Sequence, residues 1–556
     1  MLEMSEDHRV SGGDFDLAVI GAGFGGSLIA LIARRIGLRV LLVERGAHPR
    51  FTIGESTSPL SNLVLEQLCR HYDIPQLLPL ASYGDWKRTY PEITCGLKRG
   101  FSFYHHQAGV RFQPRDDRRN ELLVAASPSD RVADTQWLRS DVDHFFTQQS
   151  IDSGVEYRDR TTIEDILADG REMRMTGRTE GRSWRARSAF LIDATGPRGA
   201  ASRMFGVGEA PWPFLGGAAA LFSHFEGVPA FEDPGAACPR RTARDGEPYP
   251  PEWAASHHVF DGGWIWSLRF DHGVTSIGIV CQQRLAEELE LSSGDTGWQR
   301  IPNRYPGLEM LRGARPIRPF SYIPSLSYRA ARAIGPGWAM LPSAAAFVDP
   351  FLSSGIPLTL LGVERLAAML RHAYRGGKLD REILNAGLRK YEAAIFAEAD
   401  TMAGYIAGCY DAFPHFDLLS SYLMYYFAAS SFAEMQRRLA RSAPAEREAP
   451  DPTHSRECAL PGSYMLANDR KFQAAIAESR RALEQWNKPG VSPTTSEIVA
   501  FRRHARLSIE LVNIAGLADP DRRNWYPVDL EDLVRSAHRL GLSESDMRSF
   551  IATMPV

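Results

Sequence analysis

Gly21, Gly23 and Gly26 stand at the spacing Gly-x-Gly-x-x-Gly, and Glu44 follows eighteen residues after the last of them. Residues of these types at this spacing bind a dinucleotide. The first glycine permits a tight turn, the second lets backbone amides approach a pyrophosphate, and the third lets a helix pack closely on a strand. A helix starting there aims its free N–H groups at the phosphates, and a carboxylate at Glu44 accepts from ribose hydroxyls. The glycines alone are weak evidence, since a glycine-rich turn without a ligand has the same spacing. Their flanks add the rest: FDLAVI (15–20) reads as a buried strand, SLIALIARRIG as a helix and RVLLVE as a second strand. Gly21, Ala22, Gly23, Gly26, Glu44 and Arg45 are the expected contacts.

Two later segments decide which dinucleotide. Asp193-Ala194-Thr195-Gly196 ends a strand read over 188–196, and Phe347 to Gly355 precedes a helix. Three separated pieces meeting one ligand suit the long FAD molecule better than NAD. With these residues the chain resembles the glutathione-reductase-like FAD-binding superfamily, over roughly residues 15 to 370. The resemblance implies that Thr195, Gly196, Ser343, Asp349, Gly355 and Ile356 also meet FAD. That group usually carries Gly-Asp before the third segment, whereas this chain has Leu341-Pro342-Ser343. Ser343 brings a hydroxyl but no charge, so FAD is expected to bind weakly and exchange. Arg139 matches a helix arginine that meets FAD in the superfamily; a helix salt bridge to Asp143, four residues on, accounts for it equally well.

The branch is indicated by four further segments. Gly54-Glu55-Ser56-Thr57-Ser58-Pro59 reads locally as a helix start, with Ser58 as N-cap and Pro59 in the first turn. It is also similar to the GES(T)P loop of flavin-dependent halogenases, which lies beside the flavin ring, and this implies contacts from Glu55 and Ser56. Lys98 in Lys98-Arg99-Gly100-Phe101-Ser102-Phe103 is, by composition, a solvated lysine on a strand. The pattern K-x-G-x-x-F resembles the halogenase segment that holds an essential lysine, which would make Lys98 catalytic. In that family FADH2, O2 and halide generate hypohalous acid, which travels through a tunnel to the lysine. The lysine then either hydrogen-bonds the hypohalous oxygen or carries the halogen as a haloamine.

Trp264-Ile265-Trp266 puts two indoles on one face of a strand, as core packing or as half of the halogenase signature WxWxIP, whose Ile-Pro is missing here. Asp349-Pro350-Phe351-Leu352-Ser353-Ser354-Gly355-Ile356-Pro357 resembles the DPxxSxG segment. With Pro357 opening a helix, the amides of Ser354 and Gly355 are free donors suited to chloride or bromide. Leu352 stands where tryptophan halogenases have a catalytic glutamate, which implies a phenol- or pyrrole-type substrate. Thr195-Gly196 replaces the Asp-Gly that serves NADPH in aromatic hydroxylases, so FADH2 is expected from a separate flavin reductase.

The implied activity is therefore FADH2-dependent chlorination or bromination of an electron-rich aromatic, free or tethered to a carrier protein. An FAD-dependent monooxygenase or dehydrogenase on the same scaffold is the alternative, and a non-catalytic flavin-binding protein the third reading. Tyr422, Tyr425 and Tyr426 read as helix core, and the pairs His105-His106 and His257-His258 lack metal-ligand spacing.

These residues need a discontinuous scaffold to hold them. The expected fold is α/β: a Rossmann-type FAD-binding domain (14–80, 120–205, 331–375), an inserted antiparallel β-sheet substrate domain (81–119, 206–330) and a C-terminal helical region (376–556) with a linker near 442–460. ELLVAA (121–126) is expected as a strand and TQWLRSDVDHFFTQQSIDSG (135–154) as an amphipathic helix. At 556 residues, 44% hydrophobic, 24% charged and a net charge of −3, the chain reads as an ordinary cytoplasmic protein, with no nucleic-acid or membrane partner. Its six scattered cysteines read as reduced thiols, and the polar start reads as no signal peptide.

Overall fold

A computed structural model describes residues 10–169, 172–231, 243–442, 463–488 and 490–554. The chain opens with β1 (Val10–Ile20), α1 (Phe24–Ile36) and β2 (Val40–Val43). β1 lies parallel to β2, with Ile20 opposite Val43. Every residue of α1 from Phe24 to Ala33 is buried, and Gly37 ends the helix in the left-handed conformation at φ 115°. This is the strand–turn–helix–strand unit expected from the glycine spacing.

Next come α2 (Pro59–His71), β3 (Cys95–Lys98), β4 (Gly100–His105), β5 (Glu121–Ala125) and β6 (Asp134–Trp137). They are followed by α3 (Arg139–Asp152), β7 (Glu156–Arg158), β8 (Thr161–Ala168), β9 (Met173–Thr179) and β10 (Arg182–Asp193). The first sheet runs from Trp338–Met340 through β10, β1 and β2 to β7, all parallel, and β9 and β8 extend it antiparallel from β10. Ile20, Val43, Asp193 and Met340 end at one edge of this sheet. Ligands of such sheets bind beyond the carboxyl ends of the strands.

The second sheet holds β4, β5, β11 (Ala218–Glu226), β12 (Ala255–Phe260), β13 (Gly263–Arg269) and β14 (Thr275–Gln282). Both faces are covered, so its strands are apolar at successive positions. Ala220 and Phe222 of β11 face the main core, while Ala219, Leu221 and Phe225 face a second core around Trp298. The expected insertion is therefore present, although β12 and β4 pair in parallel.

Three expectations change. Glu121–Ala125, assigned to the FAD domain, pairs with β4 in the second sheet. Trp525–Tyr526, from the region expected to be mostly helical, adds a parallel strand to β5. The helix expected from Thr135 starts at Arg139, because Asp134–Trp137 pairs antiparallel with β3. Helical periodicity continues backward into a stretch whose alternation serves a strand equally well, and only the presence of β3 beside it decides.

The remaining long helices are α4 (Gly355–Ala373), α5 (Arg381–Ala412) and α6 (Phe416–Ser442). The linker expected near 442–460 lies, beyond Ser442, outside the described residues. Cys69, Cys95, Cys281 and Cys409 are buried and unbridged, while Cys238 and Cys458 also fall outside. No helix among the described residues is long and apolar enough to cross a membrane.

Candidate active site

The glycine turn separates steric demands made by the protein from those left open for a ligand. Gly21 sits at φ 98°, and a Cβ there would approach the Ala194 carbonyl oxygen to 2.6 Å. A Cβ on Gly26 would come within 1.9 Å of the Gly21 oxygen. At Gly23 the nearest protein atom would be 3.6 Å away, so the fold itself tolerates a side chain there. The Glu44 carboxylate accepts from the Ala22 N–H at 3.0 Å and the Gly46 N–H at 2.9 Å, with Arg50 at 3.3 Å. Burial pushes its pKa upward, but Arg50 and the two amides together hold it below the usual carboxylate value.

A cavity of about 700 Å³ opens at the carboxyl ends of β1, β2 and β10. Gly21, Gly23, Gly26, Glu44, Arg45, Glu55, Ser56, Arg139, Thr195, Gly196, Ser343, Ser354, Gly355 and Ile356 all line it. Ala22, Asp349 and Lys98 are not on its surface. The Ala22 backbone is engaged within the protein: its N–H meets Glu44 and its carbonyl oxygen lies 2.9 Å from His48 Nε2. An unoccluded Gly23 at a helix N-terminus, an acid at the end of β2 and a cavity extending to the 343–356 segment together fit FAD.

Arg139 makes the expected salt bridge to Asp143 and also lines the cavity. Nε and Nη2 bond the Asp143 carboxylate at 2.9 and 3.0 Å, while Nη1 donates to the carbonyls of Ile53 at 3.0 Å and Gly54 at 2.9 Å. Asp143 also accepts from the Phe24 N–H at 3.1 Å, so the pair ties the first turn of α1 to the Gly54–Pro59 loop. Ser58 caps α2 as expected, with a capping box to Ser61. The buried Glu55 carboxylate lies 2.7 Å from His224 Nε2.

The Asp349–Gly355 turn is strained. Leu352 at φ 69° and Ser353 at φ 56° are consecutive left-handed residues with no glycine between them, at a cost of about 1–3 kcal/mol each. Asp349 organises this turn. Its Oδ1 accepts from the Phe351 N–H at 2.8 Å and its Oδ2 from the Tyr410 hydroxyl at 2.8 Å, and burial pushes its pKa up to about 6. α4 starts at Gly355, two residues before the expected Pro357, with Ser354 as its N-cap.

This turn presents Ser353 to Lys98, which is fully buried rather than solvated. Lys98 Nζ donates to the Thr57 carbonyl oxygen at 2.5 Å and the Ser353 hydroxyl at 3.4 Å, and lies 3.9 Å from the Phe101 ring centroid. Burial lowers the lysine's affinity for its proton, and Asp134 partly restores it. Ser353 lines the cavity, so the cavity ends one hydrogen bond from the nitrogen.

Trp264 and Trp266 line the cavity on one face of β13, with ring centroids 6.0 Å apart. Sequence reasoning passed over His257, which also lines the cavity. It stacks on Phe103 at 4.5 Å and on Trp264 at 5.4 Å, and burial, aided by Lys98, pushes its pKa down to about 3. Strand parity was the only available signal: it puts His257 on one face of β12 and His258 on the other, where His258 Nδ1 lies 3.1 Å from His106 Nε2.

No family model matches the chain. It is similar to the monodechloroaminopyrrolnitrin halogenase PrnC of Pseudomonas fluorescens, 26% identical over 429 residues, which are 76% of this chain and 72% of the relative. The tetracycline 7-halogenase of Kitasatospora aureofaciens is 29% identical over 372 residues, 65% of this chain and 64% of its own length. Among solved structures, halogenase PltM in complex with phloroglucinol and FAD superposes with a TM-score of 0.78 at 23% identity, covering 92% of this chain and 99% of that one. At that identity the superposition establishes the fold.

Proposed function

We propose that this chain, which is similar to flavin-dependent halogenases, chlorinates or brominates an electron-rich aromatic of the phenol or pyrrole type, with Lys98 as its catalytic residue. The observation that carries this reading is a fully buried ammonium one hydrogen bond from a hydroxyl that lines the FAD cavity. A lysine that only needed solvation would not be held at 0% exposure.

Bound FADH2, with O2 and halide, supplies hypohalous acid; the protein's own residues do the rest. The N-terminus of α1 and Gly23 receive the pyrophosphate, and Glu44 the ribose. The N-terminal amides at Ser354 and Gly355 favour an anion, which suits halide. Trp264 and Trp266 wall the cavity and keep an aromatic substrate from the flavin. Lys98, kept dry by Phe101 and the Thr57 carbonyl, presents electrophilic halogen to the ring. Leu352 leaves no carboxylate at its position, which fits a ring activated by its own hydroxyl or nitrogen.

Reduced flavin comes, in this reading, from a separate reductase, since Thr195-Gly196 stands where an Asp-Gly would serve NADPH. We assign 14–80, 126–205 and 331–375 to FAD, and 81–125 with 206–330 to the substrate sheet.

The test is purified protein with FAD, NADH, a flavin reductase, chloride or bromide, and a panel of phenols and pyrroles, analysed by mass spectrometry. A halogenated product that disappears in Lys98→Ala, while reduced flavin is still consumed, is expected. A product that gains oxygen whether or not halide is present would instead identify a monooxygenase.

A further inference from the structure

Lys98 faces a carboxyl group that the proposed chemistry has not used. β3 and β6 form a two-stranded antiparallel sheet in which Lys98 stands directly opposite Asp134. Side chains of such a pair project from the same face, with Cβ atoms about 4.5–5.5 Å apart. Both residues are buried, at 0% and 3% exposure. Asp134 is aimed by Asn62 on α2, whose amide donates to Oδ1 at 2.7 Å. Its Oδ2 is buried with no hydrogen-bond partner among the described residues.

A buried carboxylate oxygen without a donor is costly, so it calls for a proton or a cation. The cation on the paired strand is Lys98, whose nitrogen has two of its three donors engaged, by Thr57 and Ser353. We infer that Asp134 is the proton partner of Lys98 in halogen transfer, a positioning residue that acts through the lysine nitrogen. This inference rests on the halogenase reading.

The Lys98 ammonium gives one proton to Asp134 and becomes an amine. The amine nitrogen takes halogen from hypohalous acid, its displaced proton leaves with the hydroxide as water, and the lysine becomes an N-haloamine. When the aromatic carbon attacks the halogen, the N–halogen bond breaks, its electron pair stays on nitrogen, and Asp134 returns its proton there. The ring then loses its own proton to the Lys98 amine, which restores the ammonium and the Asp134 carboxylate and closes the cycle.

The surroundings of the pair are defined. Lys98 is faced by Asp134 and by the neutral His257 of β12. Asp134 is faced by Lys98, by Asn62 of α2, and by Glu434, Arg438 and Tyr426 of α6. Burial drives the lysine toward its amine and the carboxyl toward its acid, while the charge of each opposes that drift in the other.

The experiment compares the wild type with Asp134→Asn, Asp134→Glu and Asn62→Ala. Lys98 is titrated by NMR in protein labelled at lysine Cε, with its signal assigned from Lys98→Met, and product formation is followed against pH with reductase, halide and aromatic. In Asp134→Asn the Lys98 titration should fall by about one pH unit or more. Product formation should drop about a hundredfold, with FAD content and consumption of reduced flavin retained. Asp134→Glu should recover part of the loss, and Asn62→Ala should shift the pH profile. An Asp134→Asn protein with wild-type rate and pH profile overturns the inference. So does an equal loss in the Asn and Glu variants with the Lys98 titration unmoved. Should Asp134→Asn fail to fold, an unshifted pH profile in both other variants overturns it. A wild type that halogenates nothing refutes the halogenase reading instead, and the NMR titration still tests the pair.

Discussion

Tyr426 donates its hydroxyl to the carbonyl oxygen of Leu352 at 2.8 Å, so a helix of the C-terminal region holds the strained turn at the end of the FAD cavity. Tyr410 of α5 also holds this turn, donating to the Asp349 carboxylate at 2.8 Å. The aromatic ring of Phe351 is enclosed by Trp264 at 4.9 Å and His257 at 5.3 Å. The tyrosines of α6 read as core are indeed buried, but Tyr426 also sets where Ser353 points. Tyr426→Phe is expected to lose about 1–2 kcal/mol of stability in urea unfolding and to lower product yield more than FAD affinity.

Ser353 combines a left-handed backbone with the hydroxyl nearest Lys98. Glycine relieves the first and deletes the second. Ser353→Gly is expected to stay within about 1 kcal/mol of the wild type in stability while losing most halogenated product. Equal product from this variant would remove Ser353 from the route between cavity and lysine.

Gly23 and Gly26 make opposite predictions. A methyl at Gly26 collides with backbone at 1.9 Å, so Gly26→Ala should lower the melting temperature markedly and release FAD. A methyl at Gly23 meets no protein atom closer than 3.6 Å, so Gly23→Ala should melt like the wild type without ligand yet bind FAD at least about tenfold more weakly. Fluorescence titration with FAD beside thermal melts distinguishes the two.

Lys98→Met leaves Asp134 buried beside an apolar side chain. The Asp134 carboxyl is raised by burial above its unfolded value, so the folded state binds more protons than the unfolded one between those two values. Its contribution is therefore fully present below the unfolded pKa and is lost as pH rises through the folded one. Urea melts should show Lys98→Met less stable at pH 8 than at pH 5, relative to the wild type. Glu44 has the opposite sign: its pKa is lowered, so its contribution is present above the unfolded value near 4.5 and is lost as pH falls through the folded value. Glu44→Gln should flatten that acid limb.

The FAD-binding turn was legible because its constraints are local. Gly21, Gly26 and Glu44 are set by how one strand, one turn and one helix must meet, and their spacing records it. The capping of α2 by Ser58 was legible for the same reason. Ala22 and Asp349 show what spacing leaves open: it says that a backbone or carboxyl group is near a ligand, but not that another part of the chain bonds it as well. Asp134 was missed because its segment reads as helix until β3 lies beside it.

From its sequence alone the chain declares a dinucleotide turn, a halogenase-like lysine segment and a turn able to receive an anion. Each is a run of neighbours whose chemistry and backbone preferences act over a few residues. Only the tertiary structure decided that Lys98 is dry, that Ser353, 255 residues away, stands between it and the cavity, and that Asp134 faces it across two strands. Burial and long-range pairing are properties of the packed whole. Desolvation, which sets the charge of both groups, exists only once the sheets and helices have closed around them.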